Sequence, residues 1–131
     1  MDGTRLACPT AVRKRPAPVL IVDDDSDILD VERRILDEHG FRVISARDGA
    51  DALRALEHEA PSVIVLDIQM PGVDGPAFAE RLRKRLRHVP LVVVTGAPDA
   101  RREADRCNAE AFLRKPFDAD DLVRVVRRFA A

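Results

Sequence analysis

Hydrophobic residues fall into short runs separated by longer stretches with helical spacing. Three of these runs, at 19–22, 63–66 and 91–94, are continuous rather than alternating. Continuous apolar runs of this length are typical of strands in a parallel sheet whose two faces are both covered. Two weaker runs, at 41–46 and 111–114, bring the number of predicted strands to five.

A helical pattern follows the first strand. Ser26 can cap this helix, which carries Ile28, Val31 and Ile35 on one face and stops at Gly40. A serine suits the start of a helix because its hydroxyl accepts from a free backbone N–H, and glycine suits the end because it tolerates a positive φ. The pattern predicts an amphipathic helix of three to four turns.

The other four predicted helices begin at recognisable signals. Asp48 opens the second, Gly75-Pro76 starts the third with proline at the first helical position, Pro98 begins a short charged fourth, and Asp118 caps the last. The last helix has an apolar stripe at i, i+3, i+4 and i+7, made of Leu122, Val125, Val126 and Phe129.

Five alternations of strand and helix predict an α/β fold in three layers. The expected architecture is a doubly wound (βα)5 domain, with a parallel five-stranded sheet between two layers of helices and right-handed crossovers. Ligands bind such sheets beyond the carboxyl ends of the strands. Candidate functional residues are therefore those that directly follow each apolar run.

Four of the five strands are followed by residues that can carry chemistry. Singly, each has an ordinary explanation as a turn, a helix cap or a surface charge, and we expect Asp25 to be a solvated turn or a helix cap. Together, at one edge of a sheet, they predict a ligand site. The residues are Asp23, Asp24 and Asp25 after the first strand, Asp67 after the third, Thr95 and Gly96 after the fourth, and Lys115 and Pro116 after the fifth.

The carboxylates of Asp23, Asp24 and Asp67 would repel one another at this edge. Two like charges 4 Å apart cost about 4 kcal/mol at an effective dielectric near 20, so the cluster calls for a cation. Carboxylate oxygens with water suit Mg²⁺, which also pairs with phosphates. Lys115 and the hydroxyl of Thr95 could then hold phosphoryl oxygens, and a carboxylate could act as nucleophile to form an aspartyl-phosphate.

Composition excludes several other classes of protein. The 131 residues carry 22 Lys+Arg against 23 Asp+Glu, a net charge of -1, which argues against a generic nucleic-acid-binding surface. No apolar run approaches the roughly 18 residues of a membrane span, and no secretory signal is visible, so we expect a cytoplasmic protein with reduced Cys8 and Cys107. Residues 1–17 form an irregular basic leader, expected to be solvated, ahead of a domain at 18–131.

Four blocks in this chain resemble the receiver domain of two-component response regulators. They are VLIVDDD at 19–25, VLDIQMPGVDG at 65–75, VTG at 94–96 and FLRKPF at 112–117. The blocks occur in the family order, and the resemblance covers residues 18–131. It implies the flavodoxin-like strand order 2-1-3-4-5 and a phosphoacceptor signalling function, in a chain similar to stand-alone chemotaxis regulators.

The resemblance also implies roles for the acidic residues. Asp67 would accept a phosphoryl group from a phosphohistidine on a partner protein. Mg²⁺ would be held by Asp24, Asp67 and the main-chain carbonyl of Gln69, with Asp23 acting mostly through a water. Lys115 would bridge to the phosphoryl oxygens.

Further roles follow from the same resemblance. Thr95 and Phe112 would form the switch, although core packing is the first expectation for Phe112. Lys115-Pro116 would be a cis peptide. Gln69 and Ala97 occupy variable positions that tune hydrolysis of the acyl phosphate. Where family members often carry a glycine before the last strand, this chain has Asn108, which tolerates the left-handed conformation.

The implied partners are a sensor histidine kinase or a histidine phosphotransfer protein, and a downstream protein target. We expect no direct nucleic-acid or membrane contact, and no conventional enzyme activity. Because no output domain follows the fifth helix, the chain is expected to be a stand-alone receiver or a fragment of a longer response regulator or hybrid kinase. The alternatives are a phosphorylation-independent docking module and, less favoured, an aspartate-nucleophile phosphatase of the haloacid dehalogenase kind.

Overall fold

The computed structural model describes residues 16–70, 72, 74–86 and 88–130. Strands and helices alternate along this part of the chain, as predicted. The elements are β1 (Val19–Val22), α1 (Ser26–Glu38), β2 (Val43–Ala46), α2 (Gly49–Ala55), β3 (Val63–Asp67), α3 (Gly75–Arg85), β4 (Leu91–Thr95), α4 (Ala100–Arg106), β5 (Ala111–Arg114) and α5 (Ala119–Phe129). None of the helices described is both long enough and apolar enough to cross a membrane. Residues 1–15 of the predicted leader, including Cys8, lie outside the described residues.

The five strands form one parallel sheet in the order β2-β1-β3-β4-β5, which confirms the predicted fold. Every residue of β1, β3 and β4 is buried. This explains the continuous apolar runs, because helices cover both faces of these three central strands. Of the two weaker predicted strands, β2 is shorter than expected and begins at Val43 instead of Phe41.

Successive strand residues face opposite helical layers, so the chain has two cores. On one side Leu20, Val22 and Leu66 pack in a cluster with residues of α2, α3 and α4. On the other side Ile21 and Val65 pack in a cluster with residues of α1 and α5. We call these the α2–α4 side and the α1/α5 side.

The structure confirms Asp25 as a helix cap and corrects the prediction that Ser26 caps α1. The N-cap is Asp25, whose carboxylate accepts from the backbone N–H of Asp27 at 3.0 Å and of Ile28 at 3.3 Å, while Ser26 is the first helical residue. Aspartate and serine are comparably good caps, so sequence preference alone could not choose between them. Gly40, with φ of +90°, follows the helix as predicted.

The core-facing side of α1 also differs from the apolar stripe seen in the sequence. Leu29, Glu32 and Leu36 are the buried residues of this helix. Ile28 is 36% exposed and Val31 55% exposed. The sequence analysis placed the apolar stripe of Ile28, Val31 and Ile35 against the core. The stripe that packs against the core is instead the neighbouring one, which includes the carboxyl group of Glu32.

Two other helix starts shift by one or two residues. α3 is capped by Asp74 and places Pro76 at its second position, and α4 is capped by Asp99 and begins at Ala100 instead of Pro98. Asn108 adopts φ of +53° before the last strand, in line with the expected left-handed conformation. Ala100 and Ala104 are the buried residues of α4.

The cap of α5 provides a stability prediction. Asp118 and Asp121 form a reciprocal capping box, in which each side chain accepts from the other's backbone N–H at 2.9 and 3.2 Å. We expect Asp118→Ala to lower the free energy of unfolding by about 1 kcal/mol, because the backbone N–H of Asp121 loses its side-chain acceptor and half of the capping box is removed. Asp120→Ala removes a carboxylate from the same helical turn outside the capping box, so it controls for the helix dipole. Equal losses in urea unfolding of the two variants would contradict the prediction.

Candidate functional site

The carboxyl ends of β1 and β3 bring three carboxylates together. Asp23, Asp24 and Asp67 each place one oxygen within 4.8 Å of the other two. Asp67 is the last residue of β3 and pairs in register with Val94, while Asp23 directly follows β1. Asp23 is 2% exposed and Asp67 3% exposed, whereas Asp24 is solvent-facing.

One ammonium group faces this cluster among the described residues. Lys115 Nζ lies 2.9 Å from Asp67 Oδ2, in an ion pair whose lysine side chain is 30% exposed. The lysine follows β5, and its backbone N–H donates to the Thr95 carbonyl at 2.9 Å. The Lys115–Pro116 peptide bond is cis, as the resemblance implied. The sheet therefore places two buried carboxylates and an exposed one opposite the Lys115 ammonium.

Burial and neighbouring charges shift the pKa values of Asp23 and Lys115. The pKa of Asp23 is raised to about 6, mainly by burial and also by the neighbouring Asp67 carboxylate, while the hydrogen bond from the Asp25 N–H opposes the increase. Burial alone would lower the pKa of Lys115, but the hydrogen bond and charge of Asp67 outweigh it and raise this pKa. The ionised form of Asp23 is therefore destabilised first by burial and then by the negative charge of Asp67.

Glu32 is a fourth carboxyl group that sequence reasoning missed. It projects from α1 and is 5% exposed. Its pKa is raised to about 7, mainly by burial and to a smaller extent by the charges of Asp23 and Asp67, while Lys115 opposes the increase. The spacing of Leu29, Glu32 and Leu36 contained the signal, because these residues form an i, i+3, i+7 stripe.

Gln69 contacts the site through both its backbone and its side chain. Its backbone N–H donates to Asp67 Oδ1 at 2.8 Å. Its side-chain Oε1 accepts from the backbone N–H of Gly96 at 2.7 Å. The loop after β3 is therefore tied to the loop after β4, a contact between distant residues that motif reasoning did not anticipate.

The two predicted switch residues both lie near the end of the sheet. Thr95 is fully buried, and its Oγ1 accepts from the Ala97 N–H at 3.0 Å. Phe112 is half-buried against the cluster of the α2–α4 side, and the guanidinium of Arg101 lies 5.6 Å from its ring centre. The packing expected for Phe112 is thus present.

The donor chemistry fits a divalent cation. Three carboxylates within 4.8 Å of one another carry more negative charge than one lysine can balance, and burial raises the cost of leaving them unpaired. Hard oxygen ligands with room for water suit Mg²⁺ better than zinc, which prefers nitrogen and sulfur. The cluster could therefore hold a metal ion.

A groove of about 640 Å³ lies beside the site. It is lined by the outward apolar stripe of α1 and by the segment that follows β5. Glu32 and Lys115 are among its lining residues. The groove lining residues are Asp27, Ile28, Val31, Glu32, Ile35, Lys115, Pro116, Phe117, Asp118 and Ala119.

Sequence and structure comparisons now identify the class of protein. The model of the response regulator receiver domain family matches residues 19–127. The chain is 35% identical over 121 residues to response regulator Rre1 of Synechocystis, an alignment covering 88% of this chain and 52% of Rre1. It is 41% identical over 111 residues to transcriptional regulatory protein PrrA of Mycobacterium tuberculosis, covering 83% of this chain and 48% of PrrA.

The fold agrees with this relationship. The crystal structure of chemotaxis protein CheY4 of Vibrio cholerae superposes with a TM-score of 0.79 at 28% identity, covering 88% of this chain and 99% of that one. The chain belongs to the response regulator receiver domain family. It is a phosphoacceptor signalling domain, and it spans about half the length of Rre1 and PrrA.

Proposed function

We propose that Asp67 is the phosphoacceptor, and that Asp23, Asp24, Asp67 and the main-chain carbonyl of Gln69 hold Mg²⁺ there. One observation carries this proposal: three carboxylates converge within 4.8 Å while the Lys115 ammonium lies 2.9 Å from Asp67. A buried carboxylate with a positioned cation can act as a nucleophile toward phosphorus.

The proposed reaction transfers one phosphoryl group. A carboxylate oxygen of Asp67 attacks the phosphorus of a phosphohistidine, forming a P–O bond as the P–N bond breaks. The electron pair of the broken bond stays on the imidazole, which takes up a proton. When bound, Mg²⁺ neutralises charge on the phosphoryl oxygens. Lys115 pairs with one of these oxygens, and the Gln69 N–H orients the Asp67 carboxylate.

The response to phosphorylation is assigned to Thr95 and Phe112. Thr95 ends β4 next to the acidic cluster, and its hydroxyl would leave the Ala97 N–H to bind the new phosphoryl group. Alternating strand residues place Thr95 and Phe112 on the same face of the sheet, since Val93 pairs with Phe112 in register. Movement of Thr95 would therefore free space into which Phe112 can turn.

The groove beside Lys115 supports the proposed partner. Ile28 and Val31 form an exposed apolar surface next to the phosphoacceptor, which suits a helix of a sensor histidine kinase or a histidine phosphotransfer protein. The phosphorylated domain would then act on a downstream protein, without direct contact to nucleic acid. We place this exchange in the cytoplasm. Since the acceptor is its own side chain, the domain is not a conventional enzyme.

Phosphorylation in vitro tests the assignment of Asp67. With acetyl phosphate and Mg²⁺, intact mass spectrometry should show one added phosphoryl group, which peptide mapping after borohydride reduction should place on Asp67. Addition of EDTA before the phosphodonor should suppress the product. As a control, Asp48→Asn should still be phosphorylated, because Asp48 is the N-cap of α2 and is not a residue of the acidic cluster.

Several outcomes would contradict the proposal. A label on another residue, or equal labelling in EDTA, would remove Asp67 or the metal from the mechanism. Catalytic turnover of small phosphate esters would instead favour a phosphatase. A downstream partner that binds equally well with and without phosphorylation would favour a docking module.

A further inference from the structure

The hydrogen bond between Gln69 and Gly96 joins two loops that flank the phosphoacceptor. Gln69 Oε1 lies 2.7 Å from the Gly96 nitrogen, while the backbone N–H of the same glutamine holds Asp67 Oδ1 at 2.8 Å. Gly96 also approaches the lysine, because a Cβ built on Gly96 would lie 3.7 Å from Lys115 Cβ. Gly96 therefore sits between two residues that both contact Asp67.

A phosphoryl group on Asp67 would place anionic oxygens among these donors. The ammonium of Lys115 and the N–H of Gln69 already point at the Asp67 carboxylate. The N–H of Gly96 directly follows the end of β4, and its acceptor is a neutral amide oxygen of the same glutamine whose backbone holds Asp67. A hydrogen bond from an N–H to an anionic oxygen is about twice as strong as one to a neutral oxygen. A phosphoryl oxygen would thus displace the glutamine.

We propose that the Gln69 side chain is a latch that occupies the Gly96 N–H in the unphosphorylated protein and is released when Asp67 carries a phosphoryl group. This inference rests on the proposed function of Asp67. The glutamine amide competes with the phosphoryl group for one backbone donor, and its release uncouples the loop after β3 from the loop that follows Thr95. Gln69 is a positioning residue in this scheme, separate from the metal-binding role of its own carbonyl.

The missing side chain of Gly96 allows the close approach of the Gln69 amide. A Cβ built on Gly96 would lie 3.2 Å from Gln69 Oε1, closer than ordinary van der Waals contact. The absence of a side chain at this position lets the amide oxygen reach the backbone nitrogen. A Cβ at position 96 would require the Gln69 amide to shift slightly, so the glycine favours this contact.

The test compares Gln69→Met, which keeps the length of the side chain but loses the amide acceptor, with Gln69→Glu, which keeps an acceptor. Hydrogen exchange of the Gly96 amide is measured by NMR in Mg²⁺ without a phosphodonor. Exchange should be about two- to fivefold faster in Gln69→Met, as expected for loss of one exposed hydrogen bond, and close to wild type in Gln69→Glu.

The second measurement is the affinity for beryllofluoride in Mg²⁺, a mimic of the phosphoryl group. Gln69→Met should bind about two- to fivefold more tightly than wild type, because the Gly96 donor is already free. Unchanged exchange of the Gly96 amide in Gln69→Met would overturn the latch, and so would an affinity equal to or weaker than wild type. Failure of the wild-type protein to bind beryllofluoride would overturn the proposed function and the latch together, whereas equal affinities would overturn the latch alone.

Discussion

Asp67→Asn should abolish phosphoryl uptake from acetyl phosphate and change the free energy of unfolding by less than about 1 kcal/mol. The amide cannot act as the nucleophile, so the product should disappear from the intact mass spectrum. Stability should change little because lost pairing with Lys115 is offset by relief of repulsion from Asp23 and Asp24. A phosphorylated Asp67→Asn protein would show that another residue is the acceptor.

Removal of the lysine, unlike Asp67→Asn, should lower the stability of the protein. Lys115→Met leaves the buried Asp67 carboxylate without its cation, and we expect a loss of about 2 kcal/mol in urea unfolding in EDTA at pH 8. The loss is smaller than for a fully buried pair, since the lysine side chain is 30% exposed. Adding Asp67→Asn to Lys115→Met should restore most of the stability, while Lys84→Met, at an exposed lysine, should change little. An unrestored double variant would contradict the charge argument.

Glu32→Gln should stabilise the protein by about 3 kcal/mol at pH 8 in EDTA and hardly at all at pH 4.5. The pKa of Glu32 is about 7 in the folded protein against an ordinary 4.5. Below pH 4.5 the group is protonated in both states and costs nothing. Between pH 4.5 and 7 the unfolded chain loses this proton first, so stability falls as pH rises, by about 1.4 kcal/mol per unit of difference in pKa.

Glutamine mimics the protonated acid, so this variant should lose most of that pH dependence. Asp23, with a pKa of about 6, should leave a remaining decline in stability with rising pH. Asp30→Asn changes an exposed carboxylate two residues away on the same helix and should follow the wild-type pH profile. Parallel profiles for wild type and Glu32→Gln would show that Glu32 is not held protonated by its surroundings.

Much of the fold could be predicted because the central strands are buried on both faces. A strand covered by helices on each side must be apolar at every position, and 19–22, 63–66 and 91–94 show this directly. Helix starts were predicted less well. Asp25 and Ser26 are both good N-caps, and only the path of the chain out of β1 selects the aspartate.

The candidate site also contains residues that the sequence predicted and one residue that it did not. The sequence predicted Asp23, Asp24, Asp67, Thr95 and Lys115 because each lies at or just after the end of an apolar run, and parallel strands end at one edge of the sheet. Glu32 escaped because its role depends on how α1 is rotated about its axis, and two stripes of this helix were compatible with the sequence.

The sequence by itself determined the strands, their parallel arrangement and the residue types gathered at their carboxyl ends, since burial and chain order govern all three. The tertiary structure decided which residues from different strands, loops and helices come into contact at this edge of the sheet. It buried Glu32 beside the acidic cluster, set Lys115 2.9 Å from Asp67, and joined Gln69 to Gly96. These contacts depend on angstrom-scale distances between segments far apart in the chain, to which periodicity and motifs are insensitive. The net charge of -1 is therefore an average that conceals three carboxylates drawn together at one edge.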